Sequence, residues 1–344
     1  MMKYFKHSSA VLLSLSVFLL VVLFFTFLVI SWIRFLITPI VPADKGFDYI
    51  LPAGGSIRVL SHDLSELGYL KYPRYFQLLA YLKGYAKHLH AGEYHFDVGE
   101  TPGELLKQIA EGKVLWRKVT FVEGSTFNQI REQLESNPLI VHDLAGFPSI
   151  VVMMKLDLLH LNLRPEGLFF PDTYIYTAGM SEKDILFRAH RLMEKKLSQE
   201  WGNRSDNLPY QNVYQALIAA SIIEKEARLE SERVQIAGVI KRRLEKGMLL
   251  QMDPTVIYAV EEAGEDFHPP IRREDLRIDS VYNTYIYKGL PPTPICLPSL
   301  SSIHAALHPA GGDALYFVAR GDGTHQFSAT YSAHLNAIRT FEKR

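Results

Sequence analysis

Ala216-Leu217-Ile218-Ala219-Ala220-Ser221-Ile222-Ile223-Glu224-Lys225-Glu226 is an apolar run with no strong polar face that ends in two carboxylates. A helix that is apolar all round has to be buried, and the pattern predicts one over about residues 211–228. Carboxylates at the end of such a helix must be paired or held protonated. A proton held near neutral pH is available for acid catalysis. At about 100° per residue, Glu224 falls on the stripe of Val213, Leu217 and Ala220, whereas Glu226 falls with Ala219 and Ile222 on the other side. One of the two is therefore expected to be the acid and the other to take a structural partner such as Lys225, Arg228 or Arg233. Periodicity does not choose between them.

Downstream, about 232–246 is predicted as an amphipathic scaffold helix through Ile236, Val239, Ile240 and Leu244, stopped by Gly247. Three loops rich in amides, hydroxyls and tyrosines follow: Leu250-Gln251-Met252-Asp253-Pro254-Thr255, Tyr282-Asn283-Thr284-Tyr285 and Gly289-Leu290-Pro291-Pro292. Such groups suit the many hydroxyl and acetamido groups of a glycan. A β-hairpin is expected over Ala314–Ala319 and His325–Ser328 around Gly321-Asp322-Gly323, then a last helix from Ser332. Upstream, Pro165-Glu166-Gly167-Leu168-Phe169-Phe170-Pro171-Asp172-Thr173-Tyr174 reads as a constrained loop, either lining a sugar cleft or plugging the core with its aromatic rings. Ser181–Leu197 is expected to be an amphipathic helix.

At the other end, Ser9–Ile33 holds no charged residue, and about 20 such residues span the hydrocarbon of a bilayer. The run is longer than the apolar part of a signal peptide, so it reads as an uncleaved anchor over 9–33. Lys3 and Lys6 precede it, and Arg34, Asp44, Lys45 and Asp48 follow. That bias favours a cytoplasmic N-terminus over 1–8 and everything beyond a linker at 34–46 outside the cell membrane. From 47 to 136, a turn with Gly and Ser or Thr followed by an amphipathic helix recurs three times, with Ser56, Thr101 and Ser125 as expected caps and short strands at Tyr49–Leu51, Gly92–Phe96 and Arg117–Val122.

Composition excludes some partners. Lys plus Arg and Asp plus Glu are both 37 in 344 residues, which leaves no net field for nucleic acid. The single cysteine, Cys296, cannot form an internal disulfide. His304 and His308 are four apart, but no Glu follows His304 in a zinc-peptidase arrangement and Pro309 ends the helix, so no metal site is expected.

The 47–136 region resembles LysM-type modules, units of strands and helices that bind N-acetylglucosamine-containing glycans, and Tyr94 and Trp116 are its candidate sugar-stacking rings. Beyond it, the order and spacing of Glu166–Thr173, Ala220–Glu226, Leu250–Tyr258, Tyr282–Tyr285, Gly289–Pro292 and His308-Pro309-Ala310 resemble the YceG-like, MltG family of endolytic murein transglycosylases. Ala227 stands where that family commonly has Thr, and Pro292-Thr293 where it has Pro-Gly; neither change removes an ionisable group. The resemblance implies an α+β protein: one transmembrane helix, a LysM-like module and a mixed α/β catalytic domain over 137–344. It also implies non-hydrolytic cleavage of the β-1,4 bond between N-acetylmuramic acid and N-acetylglucosamine, leaving a 1,6-anhydro end, with no cofactor. The second acid of the Glu-Lys-Glu motif, Glu226, would be the catalytic group. Glu166, Glu224, Gln251, Asp253, Thr255, Asn283 and Tyr285 would bind sugar or support the acid. Peptidoglycan strands are then the expected partner, with cell-wall synthases alongside, at the cell inner membrane. Two alternatives are a hydrolase using Glu166 or Asp253 to activate water and a membrane-tethered scaffold without activity.

Overall fold

A computed structural model describes residues 2–41, 45–158 and 164–341, with side chains from residue 13 onward. The expected cytoplasmic segment 1–8 and the linker residues 42–44 therefore lie outside the described side chains. Two compact units follow from the contacts, one over Met1–Arg117 with Thr177–Gly179, the other over Lys118–Tyr176 with Met180–Arg344.

The first unit begins with α1 (Met2–Ile37), whose segment Leu13–Ile37 is long and apolar enough to cross a membrane and whose most apolar stretch is not buried within the protein. The helix does not stop at Ile33. It carries on through Arg34 to Ile37, and Phe35 is buried in the core of this unit, so the first part of the expected linker is helix. Next come β1 (Phe47–Leu51), α2 (Ile57–Glu66), α3 (Pro73–Leu82) and β2 (Gly92–Phe96). β1 and β2 pair antiparallel, Phe47 opposite Phe96 and Leu51 opposite Gly92. Then α4 (Pro102–Glu111) closes the unit over Leu60, Leu64, Phe76, Leu105 and Ile109, all nearly or fully buried. Ser56 caps α2 by accepting from the Val59 N–H, and Thr101 forms a reciprocal capping box with Glu104. Of the three expected strand-and-helix copies, the first two lie here, with α3 between them. The third lies in the second unit, and its cap is Thr126 rather than Ser125.

In the second unit, β3 (Arg117–Thr120) pairs with β4 (Thr173–Tyr176) beside α5 (Phe127–Glu135) and α6 (Ser149–Lys155). The remaining elements are α7 (Glu182–Gly202), α8 (Val213–Glu226), α9 (Arg233–Glu245), α10 (Asp253–Glu262), α11 (Leu300–Leu307), the hairpin β5 (Tyr316–Ala319) and β6 (His325–Ser328), and α12 (Tyr331–Phe341). Every residue of α8 from Ala216 to Ile223 is buried, because α7, α9, α10 and α11 surround it. That enclosure is what the all-round apolar run demands. Ser221 ties the helix to its surroundings, its Oγ accepting from the Ile295 N–H at 3.0 Å. Cys296 is fully buried beside it, as a small filler. The 165–174 loop is an aromatic plug: Phe169, Phe170 and Tyr174 are buried. Gly167 is required there twice, by a φ of +77° and by Pro294, whose Cβ lies 2.4 Å from where a side-chain Cβ would stand.

Candidate active site

α8 delivers its two carboxylates to different surroundings. Glu224 accepts from the Ser299 N–H at 2.9 Å, from the Ser299 Oγ, and from Arg233 Nη2 at 3.1 Å. Ser299 is the N-cap of α11 and Arg233 opens α9, so Glu224 pins α8 to both neighbours. Its side chain and that of Arg233 are only 7% and 14% exposed, which leaves no room for a substrate.

Glu226 is the last residue of α8. Ala227 turns to extended backbone (φ −81°, ψ 115°) and ends the helix. The carboxyl faces a cleft of about 880 Å³ walled by Arg243 of α9, Gln251, the first turn of α10, Tyr285, the β5–β6 hairpin and α12. Burial pushes the Glu226 carboxyl up to about 8, and the charge of Asp253 adds to the shift. The Asp253 N–H, which donates to it, and the Arg243 guanidinium pull the other way. Because Asp253 is the first residue of α10, that donor is one of the free N–H groups of a helix start. The site can therefore hold a proton at neutral pH and stabilise the anion left when the proton is given up.

The cleft wall is over-determined by hydrogen bonds. Gln251 adopts a left-handed backbone (φ 50°), a costly conformation for a residue other than glycine. Its N–H donates to the Thr284 carbonyl at 3.0 Å. Thr284 Oγ1 accepts from the Met252 N–H at 3.0 Å and lies 2.8 Å from Thr255 Oγ1. Asn283 is fully buried, its Nδ2 donating to the Leu276 and Ile278 carbonyls and its Oδ1 accepting from the Tyr285 N–H. Tyr285 then donates its hydroxyl to Asp253 Oδ1 at 2.5 Å.

Of the residues singled out in the sequence, Glu226, Gln251, Asp253 and Tyr285 meet in this cleft. Thr255 and Asn283 stand behind it as supports, and Glu224 clamps helices. Glu166 is elsewhere: its carboxylate accepts from the Phe127 N–H at 2.9 Å and the Tyr258 hydroxyl at 3.3 Å, lining a separate pocket of about 350 Å³. Burial pushes it to about 7, yet it caps the start of α5 rather than facing Glu226. Asp253 and Thr255 are not on a loop, as their Pro-containing motif suggested, but in the first turn of α10. Tyr94 is fully buried with its hydroxyl donating to the His90 carbonyl, so it presents no face to a sugar; Trp116 is 67% exposed.

Sequence reasoning missed Arg243, assigned to scaffold. Its Nη1 donates to the Leu250 carbonyl at 2.6 Å and its Nε to the Leu315 carbonyl at 2.7 Å, linking the 251 turn to the hairpin. The available signal was its position: Arg243 follows Ile236 by seven residues and Ile240 by three, on the inward face of α9. His325, at the start of the second hairpin strand, pairs with Glu232 through Nδ1 at 2.7 Å and also borders the cleft.

One group in the described residues has metal-ligating chemistry. Glu200 of α7 comes to His304 and His308, so the carboxylate that the sequence motif lacks arrives from another helix. Their donors already have partners: His304 Nδ1 meets Glu200 at 2.8 Å, and His308 Nδ1 lies 3.2 Å from Ser205 Oγ.

Comparison with known proteins agrees with this architecture. The family model described as the YceG-like family matches residues 49–340. An endolytic murein transglycosylase of Bacillus subtilis is 30% identical over 305 residues, covering 83% of this chain and 82% of that one. The protein of the same name from Streptococcus pneumoniae serotype 2 is 27% identical over 299 residues, 78% of this chain and 53% of that one. A crystal structure of a yceG-like protein from Listeria monocytogenes superposes with a TM-score of 0.51 at 28% identity, covering 85% of this chain and 98% of that one. With the family match spanning both units, this chain belongs to the YceG-like family.

Proposed function

We propose that the protein is a membrane-anchored endolytic transglycosylase that cleaves the β-1,4 bond between N-acetylmuramic acid and N-acetylglucosamine in peptidoglycan without water. The observation that carries this reading is Glu226, a carboxyl raised to about 8 and facing a cleft of about 880 Å³. The names of the Bacillus and Streptococcus relatives support the substrate.

Protonated Glu226 gives its proton to the glycosidic oxygen as the bond to C1 breaks and positive charge develops on the muramyl ring. The carboxylate that results takes the proton from the muramyl 6-hydroxyl as that oxygen attacks C1, closing the 1,6-anhydro ring. Protons balance, Glu226 returns to its acid form, and the nucleophile belongs to the substrate. Attack within one sugar is favoured because oriented internal reactions reach effective molarities of about 10⁵ M or more. The Asp253 N–H and Arg243 oppose the charge on Glu226 between the two halves. Tyr285 holds Asp253 in place.

One observation favours a second reading. Asp253 shares the cleft with Glu226, and an ionised carboxylate there could activate water for hydrolysis. Incubating the full chain in detergent with intact murein and weighing the products separates the two. Anhydro ends, lighter than the hydrolytic product by one water, are expected; reducing ends alone would make the enzyme a hydrolase.

In this reading α1 is a single span of the cell inner membrane, with residues 1–8 cytoplasmic and the chain beyond residue 46 outside. The 47–136 region acts as a LysM-like module. The substrate is the nascent glycan strand, trimmed or terminated beside cell-wall synthases.

A further inference from the structure

Helix α3 carries more apolar surface than its unit buries. Phe76, Leu79 and Ala80 face the core, whereas Leu78, Tyr81 and Leu82 are 48%, 64% and 69% exposed. At about 100° per residue, Leu78 and Leu82 share a stripe with Tyr75. The Tyr75 ring meets Trp32 and Phe35 near the outer end of α1, at centroid distances of 5.4 and 5.6 Å. The exposed stripe thus adjoins the outer end of the span through Tyr75. Trp32 follows Ser9, the first residue of the uncharged run, by 23 positions. At about 1.5 Å per residue that is about 35 Å, enough to cross the roughly 30 Å of bilayer hydrocarbon. Trp32 and Tyr75 then meet at the depth where tryptophan and tyrosine belts sit.

Charge points the same way. From Lys71 to Lys87 the chain holds Lys71, Arg74, Lys83 and Lys87 and no acidic residue. All four are exposed, and the Lys71 ammonium lies 5.5 Å from the ring centroid of Tyr72. Apolar side chains flanked by cations are what an in-plane interfacial helix presents to acidic headgroups.

We propose that α3 is an interfacial helix: Leu78, Tyr81 and Leu82 lie in the headgroup layer of the membrane that α1 spans, and the four cations meet the phosphates of acidic lipids. This rests on reading α1 as a span, and it gives the first unit a fixed seat on the bilayer instead of a free tether.

The test uses the full chain in lipid nanodiscs. Leu82→Cys and Phe24→Cys are labelled separately with an environment-sensitive fluorophore, Cys296 being buried and out of reach. Brominated lipids should quench the label at both positions, and removing the anionic lipid should weaken quenching at Leu82 several-fold while leaving Phe24 unchanged. Quenching at Phe24 with a water-like, unquenched label at Leu82 would overturn the proposal and leave the span intact. Quenching at neither would overturn the span and the interfacial helix together.

Discussion

Glu224 and Glu226 stand two residues apart on one helix, yet the two sides of α8 give them opposite chemistries. On one side, Ser299 and Arg233 supply three donors to a carboxylate that is sealed in. On the other, a single helix-start N–H and a more distant guanidinium face a carboxyl that burial has driven up to about 8 at the mouth of a cleft. Saturating a buried carboxylate with donors makes a structural anion. Burying it with few donors makes a proton reservoir. Glu166 adds a third case, raised to about 7 but tied to the α5 N-terminus, so a raised pKa without access to the cleft does not by itself mark a catalyst.

The largest effect that could break this contrast belongs to Glu226→Gln. The amide keeps shape but carries no transferable proton, so murein cleavage should fall by more than the roughly 10²- to 10⁴-fold typical of one acid–base group, since the proposed mechanism uses the same group in both steps. The fold should persist, as judged by circular dichroism. Its stability should even gain with pH. Native Glu226 holds its proton up to about 8, against an ordinary value of 4.5, so its contribution is fully present below about 4.5 and fades as pH rises through 8. The variant escapes that loss, and its melting temperature relative to wild type should climb between about pH 5 and pH 9.

Glu224→Gln should do the reverse. Leaving Arg233 nearly buried without its counter-charge costs about 3 kcal/mol, read as a lower urea midpoint, while the rate on the folded fraction stays within about tenfold of wild type. A folded but inactive Glu224 variant would exchange the roles assigned to the two sides. A smaller effect is expected for Glu166→Ala, which removes the acceptor at the α5 start: about 1 kcal/mol of stability, with kcat unchanged. A loss of kcat there with stability intact would bring Glu166 into the chemistry.

Much of this contrast was legible in the sequence, and the exceptions have physical causes. The all-apolar run from Ala216 to Ile223 announced a buried helix, and the 100° rule separated the two glutamates onto different sides; what it lacked was the identity of the partners, which come from α9 and α11. Asp253-Pro254 looked like turn chemistry because Asp and Pro favour turns, yet Asp and Pro also suit a first helical turn, and here they open α10. Helix α3 went unseen because its stripe is apolar on the exposed side as well as the buried one, which blurs the amphipathic pattern. Arg243 was passed over because a cation on an amphipathic helix is normally solvated, although its spacing from Ile236 and Ile240 pointed it inward. The hairpin was found from its glycine-rich turn, but that it walls the cleft depends on contacts far apart in the chain, such as Arg243 to Leu315.

The most direct test of the central claim is the pH dependence of kcat/KM for murein cleavage by the wild-type chain. With Glu226 as the acid, activity should hold through neutral pH and fall with a single limb near about 8, as the group that must enter the reaction protonated loses its proton. A limb at the ordinary carboxyl value of about 4.5, with activity already lost by pH 7, would contradict the account.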